Sequence, residues 1–317
     1  MRVAVLGAGA IGGFIAAALA RSGADVAVVA RGPHLEAIRA RGLRVRSELG
    51  DFAVNVRAAD DLRQLGTFDY ILLTFKAHSW PAVLPQLEDA VRGETPMLTL
   101  QNGVPFWFLD GQTLESVDPG GRIAAAIPRA LIMGGVVHAS GHIAEPGTVV
   151  QSGGRLYFMG ELDGARSERV ALLSRVFEDA GLTAPVESDI RAVVWRKLLG
   201  NLAFNPVSAL TRATMGTLLA DPAAHETLRE IVTEGIAVGR AFGIETGVDA
   251  DQRLTMARRS GDVKTSMLQD LEAGKRLELE PIAGAVIELA HIAGLDVPRS
   301  ETIYALARAL DAGTPVQ

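Results

Sequence analysis

The first twenty residues constrain the fold more than any other part of the chain. Val3 to Leu6 is a short β-rich run, Gly7-Ala8-Gly9-Ala10-Ile11-Gly12 has the spacing G-x-G-x-x-G, and Phe14 to Ala20 continues as a helix pattern. In a mononucleotide-binding βαβ unit the first glycine makes the tight turn, the second lets a diphosphate approach the backbone, and the third packs helix on strand. The diphosphate then rests on the helix N-terminus. A second strand, Asp25 to Ala30, follows at the expected distance. The competing reading is a membrane span, because Val3 to Ala20 is uncharged; its four glycines and the lack of any basic stretch beyond Arg2 make it a poor one.

The end of the second strand bears on which dinucleotide is bound. An NAD site wants an acid about 20 residues past the glycines to hold the ribose 2′-hydroxyl. Here the strand ends Val28-Val29-Ala30-Arg31-Gly32. No carboxylate is present to repel a 2′-phosphate, and Arg31 can grip one through a charge-assisted fork. A solvent-facing arginine is the plain alternative in an arginine-rich chain.

The second constraining stretch is Trp195-Arg196-Lys197-Leu198-Leu199-Gly200-Asn201-Leu202-Ala203-Phe204-Asn205-Pro206. Lys197, Asn201 and Asn205 recur every four residues, so they share one stripe of a helix about 6 Å apart along its axis. Pro206 removes a backbone donor and should end or kink the helix, freeing Asn205. A polar seam between packed helices would give the same pattern. Lysine usage favours chemistry: of 31 basic residues only Lys76, Lys197, Lys264 and Lys275 are lysines. Arginine holds its proton near neutral pH, whereas a partly buried lysine can release it.

Composition excludes other classes. A net charge of −6 and no basic run argue against nucleic acid. With no cysteine, neither disulfides nor thiolate chemistry are available. His138 and His142 are four apart, but the glycines around them disfavour a shared helix face for a metal. No targeting segment is evident, so the expectation is a cytoplasmic protein without membrane contact.

Along the chain, helices are expected at His34 to Arg41, from Ser79 with Pro81 to Val91, and at Glu168 to Ala180. Strands are expected within Leu43 to Val56 (two, around Glu48 to Asp51) and at Phe68 to Lys76, Met97 to Leu100, Arg122 to Ala126, Ile132 to His138, Gly147 to Val150, Leu156 to Met159 and Thr183 to Val186. The strand ends carrying Gly7, Arg31, Thr74 to Lys76 and Asn102 should line the crevice of a doubly wound sheet. Beyond Ser188 only helical periodicity remains, with helices at Asp221 to Phe242, Asp251 to Arg259, Ser266 to Ala273, Leu277 to Ala293 and Ser300 to Leu310. The expected division is therefore 1–188 and 189–317.

Taken together, Gly7 to Gly12, Arg31, Phe75-Lys76-Ala77, Gln101-Asn102-Gly103, Trp195-Arg196-Lys197 with Asn201 and Asn205-Pro206, Ser266-Met267-Leu268-Gln269-Asp270 and Glu278 resemble the ketopantoate reductase (2-dehydropantoate 2-reductase) family over nearly the whole chain. The resemblance implies an α/β fold: an N-terminal Rossmann-type doubly wound sheet and a C-terminal all-α domain of the 6-phosphogluconate-dehydrogenase kind. It also implies NADP(H) as cofactor and a 2-keto acid substrate, ketopantoate reduced to (R)-pantoate on the route to pantothenate and coenzyme A, held between the domains. A homodimer stays open.

By the same resemblance Lys197 is the general acid, Asn201 and Asn205 hold the substrate's polar groups, and Ser266 binds its carboxylate. Asn102 lies where nicotinamide and substrate meet, Glu278 contacts the bound ligands, and Lys76 and Ser140 lie near the cofactor. Plainer roles exist for two of these: Ser266 as an N-cap and Glu278 as a solvated helix charge. The sequence departs from many relatives at Ala283-Gly284, where they carry Asn-Gly, which leaves substrate identity open. Three other classes compete: a β-hydroxyacid dehydrogenase, disfavoured by the Arg31 strand end if NAD-dependent; a non-catalytic NADP sensor; and an interaction module without a ligand.

Overall fold

The computed structural model describes residues 1–258 and 261–313. Its chain falls into two compact units: Met1–Gln101 with Ile123–Ile190, and Asn102–Arg122 with Arg191–Gln317. The first ends two residues past Ser188, where the periodicity changes. That the second unit also takes Asn102–Arg122 had no counterpart in the sequence pattern.

The first unit is built on one nine-stranded sheet. In chain order it comprises β1 (Arg2–Leu6), α1 (Ala10–Arg21), β2 (Asp25–Val29), α2 (Gly32–Arg41), β3 (Leu43–Ser47), β4 (Gly50–Val54), β5 (Arg57–Ala59), β6 (Tyr70–Leu73), α3 (Trp80–Val83), α4 (Glu88–Arg92) and β7 (Met97–Thr99). After the excursion into the second unit come α5 (Arg122–Ala126), β8 (Ile132–Glu145), β9 (Thr148–Glu161) and α6 (Glu168–Asp179). The strand order is β4-β3-β9-β8-β7-β6-β1-β2-β5. From β5 through to β8 all pairs are parallel, while β8–β9 and β3–β4 are antiparallel. The chain reverses its direction of winding between β1 and β6, so their C-terminal ends flank a switch point, the usual ligand crevice of such sheets. The fully buried Phe14, Ile15 and Leu19 of α1 meet Tyr157 of β9 and Phe177 of α6 in the main core.

Several expectations are corrected. Arg122 to Ala126 is a helix, in keeping with three alanines, the best helix formers. The expected helix from Ser79 to Val91 is broken into α3, a 3₁₀ turn at Leu84–Gln86 and α4, because Pro85 takes a donor from the ladder; Ser79 makes no side-chain cap. Gly147 to Val150 and Leu156 to Met159 are one strand, β9, with Gly153-Gly154 absorbed at register shifts opposite Ser140. Thr183 to Val186 forms only isolated bridges to Leu156 and Met159, since Pro185 cannot donate to a ladder.

The second unit is helical: α7 (Ile190–Thr211), α8 (Met215–Ala220), α9 (Pro222–Ala241), α10 (Ala250–Arg258), α11 (Ser266–Glu272), α12 (Ala285–Ile292) and α13 (Pro298–Ala312). Arg259, the expected end of α10, lies outside the described residues. The helix expected from Leu277 starts late. The Leu277 N–H donates to the Asp311 carboxylate at 3.0 Å, and a π-helical turn, Glu280–Gly284, leads into α12. α7 does not end at Pro206 but carries it inside and runs on to Thr211. Tertiary packing holds it: Trp195 is fully buried, donates its Nε1–H to the Gly235 carbonyl at 3.0 Å and stacks on Phe108 at 5.4 Å.

Candidate active site

The glycine-rich turn joins β1 to α1, and its three glycines occupy three different surroundings. Gly7 has φ +101°, a conformation that favours glycine, and a side chain there would lie 2.8 Å from the Phe75 backbone nitrogen. A Cβ on Gly12 would clash with the Gly7 carbonyl and the Thr74 hydroxyl, so helix and strand meet only because it is absent. At Gly9 a Cβ would meet nothing within 4 Å. That open side is the approach a diphosphate needs. No acidic residue sits in the first turn of α1 and no side chain caps it, so the N–H groups of Ala10, Ile11 and Gly12 face outward with their partial positive charge.

A cleft beside this turn is lined by Gly7, Ala8, Gly9, Arg31, His34 and Phe75, among others. Arg31 follows β2 at its C-terminal end, is exposed, and forms no ion pair among the described residues. A phosphate on the ribose of a dinucleotide has in Arg31 a fork of donors and no neighbouring strand-end acid. These residues fit a nicotinamide dinucleotide phosphate. Lys76 is half-buried just past β6 and opens a 3₁₀ turn. Ser140 stands on the bulged part of β8, exposed, with its hydroxyl 3.3 Å from the Gly153 carbonyl, and does not line the cleft.

Of two further residues at this turn, the sequence reading placed Thr74 only among the strand ends at the crevice and missed His34. The Thr74 hydroxyl lies 3.0 Å from the Leu6 carbonyl and 2.9 Å from that of Gly7. His34 touches the Ala8 carbonyl at 2.8 Å. Neither has a motif spacing that would announce it; only the fold brings them to the turn.

In the second unit, α7 buries Trp195, Leu199 and Leu202 against α9, where Gly235 and Gly239 carry no side chain to obstruct them. Lys197, Asn201 and Asn205 lie on a different side of the helix. The Lys197 ammonium donates to the Asn102 Oδ1 at 2.6 Å. Burial lowers its pKa from 10.5 to about 8, against a smaller upward pull from the Glu278 carboxylate. Asn102 and the Glu278 carboxylate thus both act on the Lys197 ammonium. Asn205 is 4% exposed and its Nδ2 has no hydrogen-bond partner among the described residues. An unmatched buried amide carries a desolvation penalty of about 1–3 kcal/mol, which a bound acceptor would offset. Asn201 is half-buried on the same stripe. Ser266 opens α11 but does not cap it: Thr265 does, accepting from the Leu268 N–H at 3.2 Å, and the Ser266 side chain is left exposed.

Asn102 is held by its own loop. Gly103 has φ +85° and packs so tightly on the π-helical turn that a Cβ would strike the Pro281 carbonyl. The next residue, Val104, donates its N–H to that carbonyl at 2.6 Å. Arg253 of α10 is a further basic group near α7 that the sequence reading missed. Its guanidinium fills the place a side chain on Gly200 would take, and burial lowers its pKa.

Residues 3–164 match the family model described as ketopantoate reductase PanE/ApbA, and residues 189–311 match its C-terminal counterpart. A 2-dehydropantoate 2-reductase of Mesorhizobium japonicum is 41% identical over 98% of both chains. The enzyme of that name from Archaeoglobus fulgidus is 32% identical, again over 98% of each. Among solved structures, 2-dehydropantoate 2-reductase from Methylococcus capsulatus superposes with a TM-score of 0.85 at 29% identity, covering 99% of this chain and 98% of that one.

Proposed function

Since this chain belongs to the ketopantoate reductase family, oxidoreductases that act on a CH–OH group, we propose that it reduces a 2-keto acid with NADPH, the substrate being ketopantoate and the product (R)-pantoate for pantothenate and coenzyme A synthesis. The observation that carries the reading is the half-buried Lys197 ammonium, 2.6 Å from Asn102 and with a pKa near 8. The first unit serves as the nucleotide-binding domain. Gly7, Ala8, Gly9, Ala10, Ile11 and Gly12 hold the diphosphate of NADPH, Arg31 the 2′-phosphate, and Lys76 stands near the cofactor.

NADPH, when bound, supplies the hydride that the carbonyl carbon accepts. As that bond forms, the carbonyl oxygen gains negative charge. The Lys197 ammonium stabilises the charge and gives up one proton to the oxygen, leaving a neutral amine and a 2-hydroxy acid. Asn102 fixes the lysine by accepting one of its N–H bonds, and Glu278 keeps the amine protonated near pH 7 by its opposite charge. Asn201, the unmatched Asn205 amide and Ser266 supply hydrogen bonds to the substrate's hydroxyl and carboxylate.

The test is NADPH consumption, followed by absorbance, with a panel of 2-keto acids that includes ketopantoate. Turnover of ketopantoate well above the other acids supports the assignment. Preference for another acid would keep the chemistry and replace the substrate; NADPH binding with no turnover of any acid would favour a sensor.

A further inference from the structure

The glycine-rich turn has backbone groups of both signs, and an anion tolerates only one of them. The Gly7 and Ala8 N–H groups both donate to the Val29 carbonyl, at 3.1 and 3.0 Å. The carbonyls of Leu6 and Gly7 share the Thr74 hydroxyl proton. The third carbonyl, Ala8, is met by His34 alone among the described side chains, at 2.8 Å. The other ring nitrogen of His34, Nδ1, accepts the Gly147 N–H at 3.0 Å, from the turn between β8 and β9. A nitrogen that accepts carries no proton, so the ring proton is on Nε2 and points at Ala8. The ring is half-buried, and burial lowers its pKa, which keeps it in this neutral form.

The peptide between Ala8 and Gly9 is the one place where the turn could change sign. A peptide flip alters ψ of the residue before and φ of the residue after, and the residue after is Gly9, with no side chain and nothing near the place one would occupy. Flipped, it would present the Ala8 oxygen where the Gly9 N–H now stands, a donor with no partner among the described residues.

We propose that His34 is a positioning residue for the diphosphate of the dinucleotide: bridging Gly147 and Ala8, it holds the Ala8–Gly9 peptide with its carbonyl turned away and its N–H toward the anion. This rests on the nucleotide reading of the cleft. His34 touches no reacting atom; it acts through the turn.

The experiment compares His34→Met, which keeps length without a donor, with His34→Gln, which restores an amide donor. NADPH and adenosine 2′-monophosphate are titrated separately; the latter carries the group assigned to Arg31 but no diphosphate. His34→Met should raise the NADPH Kd about tenfold, the worth of one such hydrogen bond. It should leave the adenosine 2′-monophosphate Kd and kcat at saturating NADPH within about twofold, and His34→Gln should recover most of the loss. An unchanged NADPH Kd in His34→Met, or equal losses for both ligands, would overturn the proposal. If His34→Met does not fold, the ¹⁵N imidazole shifts of the wild-type protein decide: a protonated Nε2 and bare Nδ1 support it, and a protonated Nδ1 overturns it. Failure of the wild type to bind NADPH would instead remove the nucleotide reading itself.

Discussion

Lys197 keeps a pKa near 8 because burial opposes its charge, and the same opposition weakens the fold. The proposed role as proton donor requires the charged form, so kcat/KM for reduction should fall as pH rises through about 8. Lys197→Ala should lower kcat about 10²- to 10⁴-fold with NADPH still bound, and Lys197→Arg should recover little, since guanidinium does not release its proton. If the alanine variant kept more than a tenth of kcat while hydride transfer was rate-limiting, the donor would have to be another group. Stability should move the opposite way. The folded pKa lies below the unfolded 10.5, so the penalty is full below about pH 8 and fades as pH rises toward 10.5. Lys197→Met should therefore be more stable near pH 7 by about 2 kcal/mol, after allowing about 1 kcal/mol for the lost bond to Asn102, and that gain should be lost as pH rises toward 10.5 in chemical melts. Arg31 makes a separate prediction: NADPH should bind at least about tenfold tighter than NADH, and Arg31→Asp should narrow or invert that ratio. Lys197, Asn201 and Arg31 were legible in the sequence because a fixed spacing or strand end announces them. His34 and Arg253 were not, because only tertiary structure brings them to their partners.

At the scale of elements, propensity was readable wherever one signal acted alone. The β1–turn–α1 unit and α9, begun by Asp221 accepting from the Ala224 N–H at 2.8 Å, stand where the sequence placed them. Where a local rule met strong packing, packing won: Pro206 sits inside α7 because buried Trp195, Leu199 and Leu202 before it and Val207 and Ala209 after it hold that helix on both sides of the lost hydrogen bond. The π-helical turn was invisible, since an added residue in a helix has no period of its own. Yet it is the turn on which Gly103 rests. Gly103→Ala must leave a φ of +85° or push back Pro281, and either displaces Asn102 from Lys197. The expected result is a loss of at least about tenfold in kcat with a destabilisation of about 1–3 kcal/mol. A variant with wild-type kcat and a lowered Tm would show that the loop does not position the lysine.

For the molecule as a whole, the interleaving of the two units decides what can be cut. A break at the expected boundary between residues 188 and 189 would strip the second unit of Asn102–Arg122. With that segment go the Phe108 ring stacked on Trp195, the Val104 bond to Pro281, and the Glu115 and Ser116 N–H groups that donate to the Glu288 carboxylate at 2.7 and 2.9 Å. Residues 189–317 made alone should therefore melt without a cooperative transition, followed by circular dichroism, whereas adding Asn102–Arg122 as a separate peptide should restore one. Among the described residues no helix is long and apolar enough to cross a membrane.

That interleaving also sets an order of events during synthesis. Once Ile190 has left the ribosome every residue of the first unit exists, but Asn102–Arg122 must wait for the 127 residues that follow (317 − 190). At about 5–20 residues per second this is an interval of roughly 6–25 s. Over it Phe106, Trp107, Phe108 and Leu114, all buried in the finished protein, gain the helices of their unit only one after another. The segment that carries Asn102 is thus also a stretch open to aggregation or chaperone capture while the chain is being made.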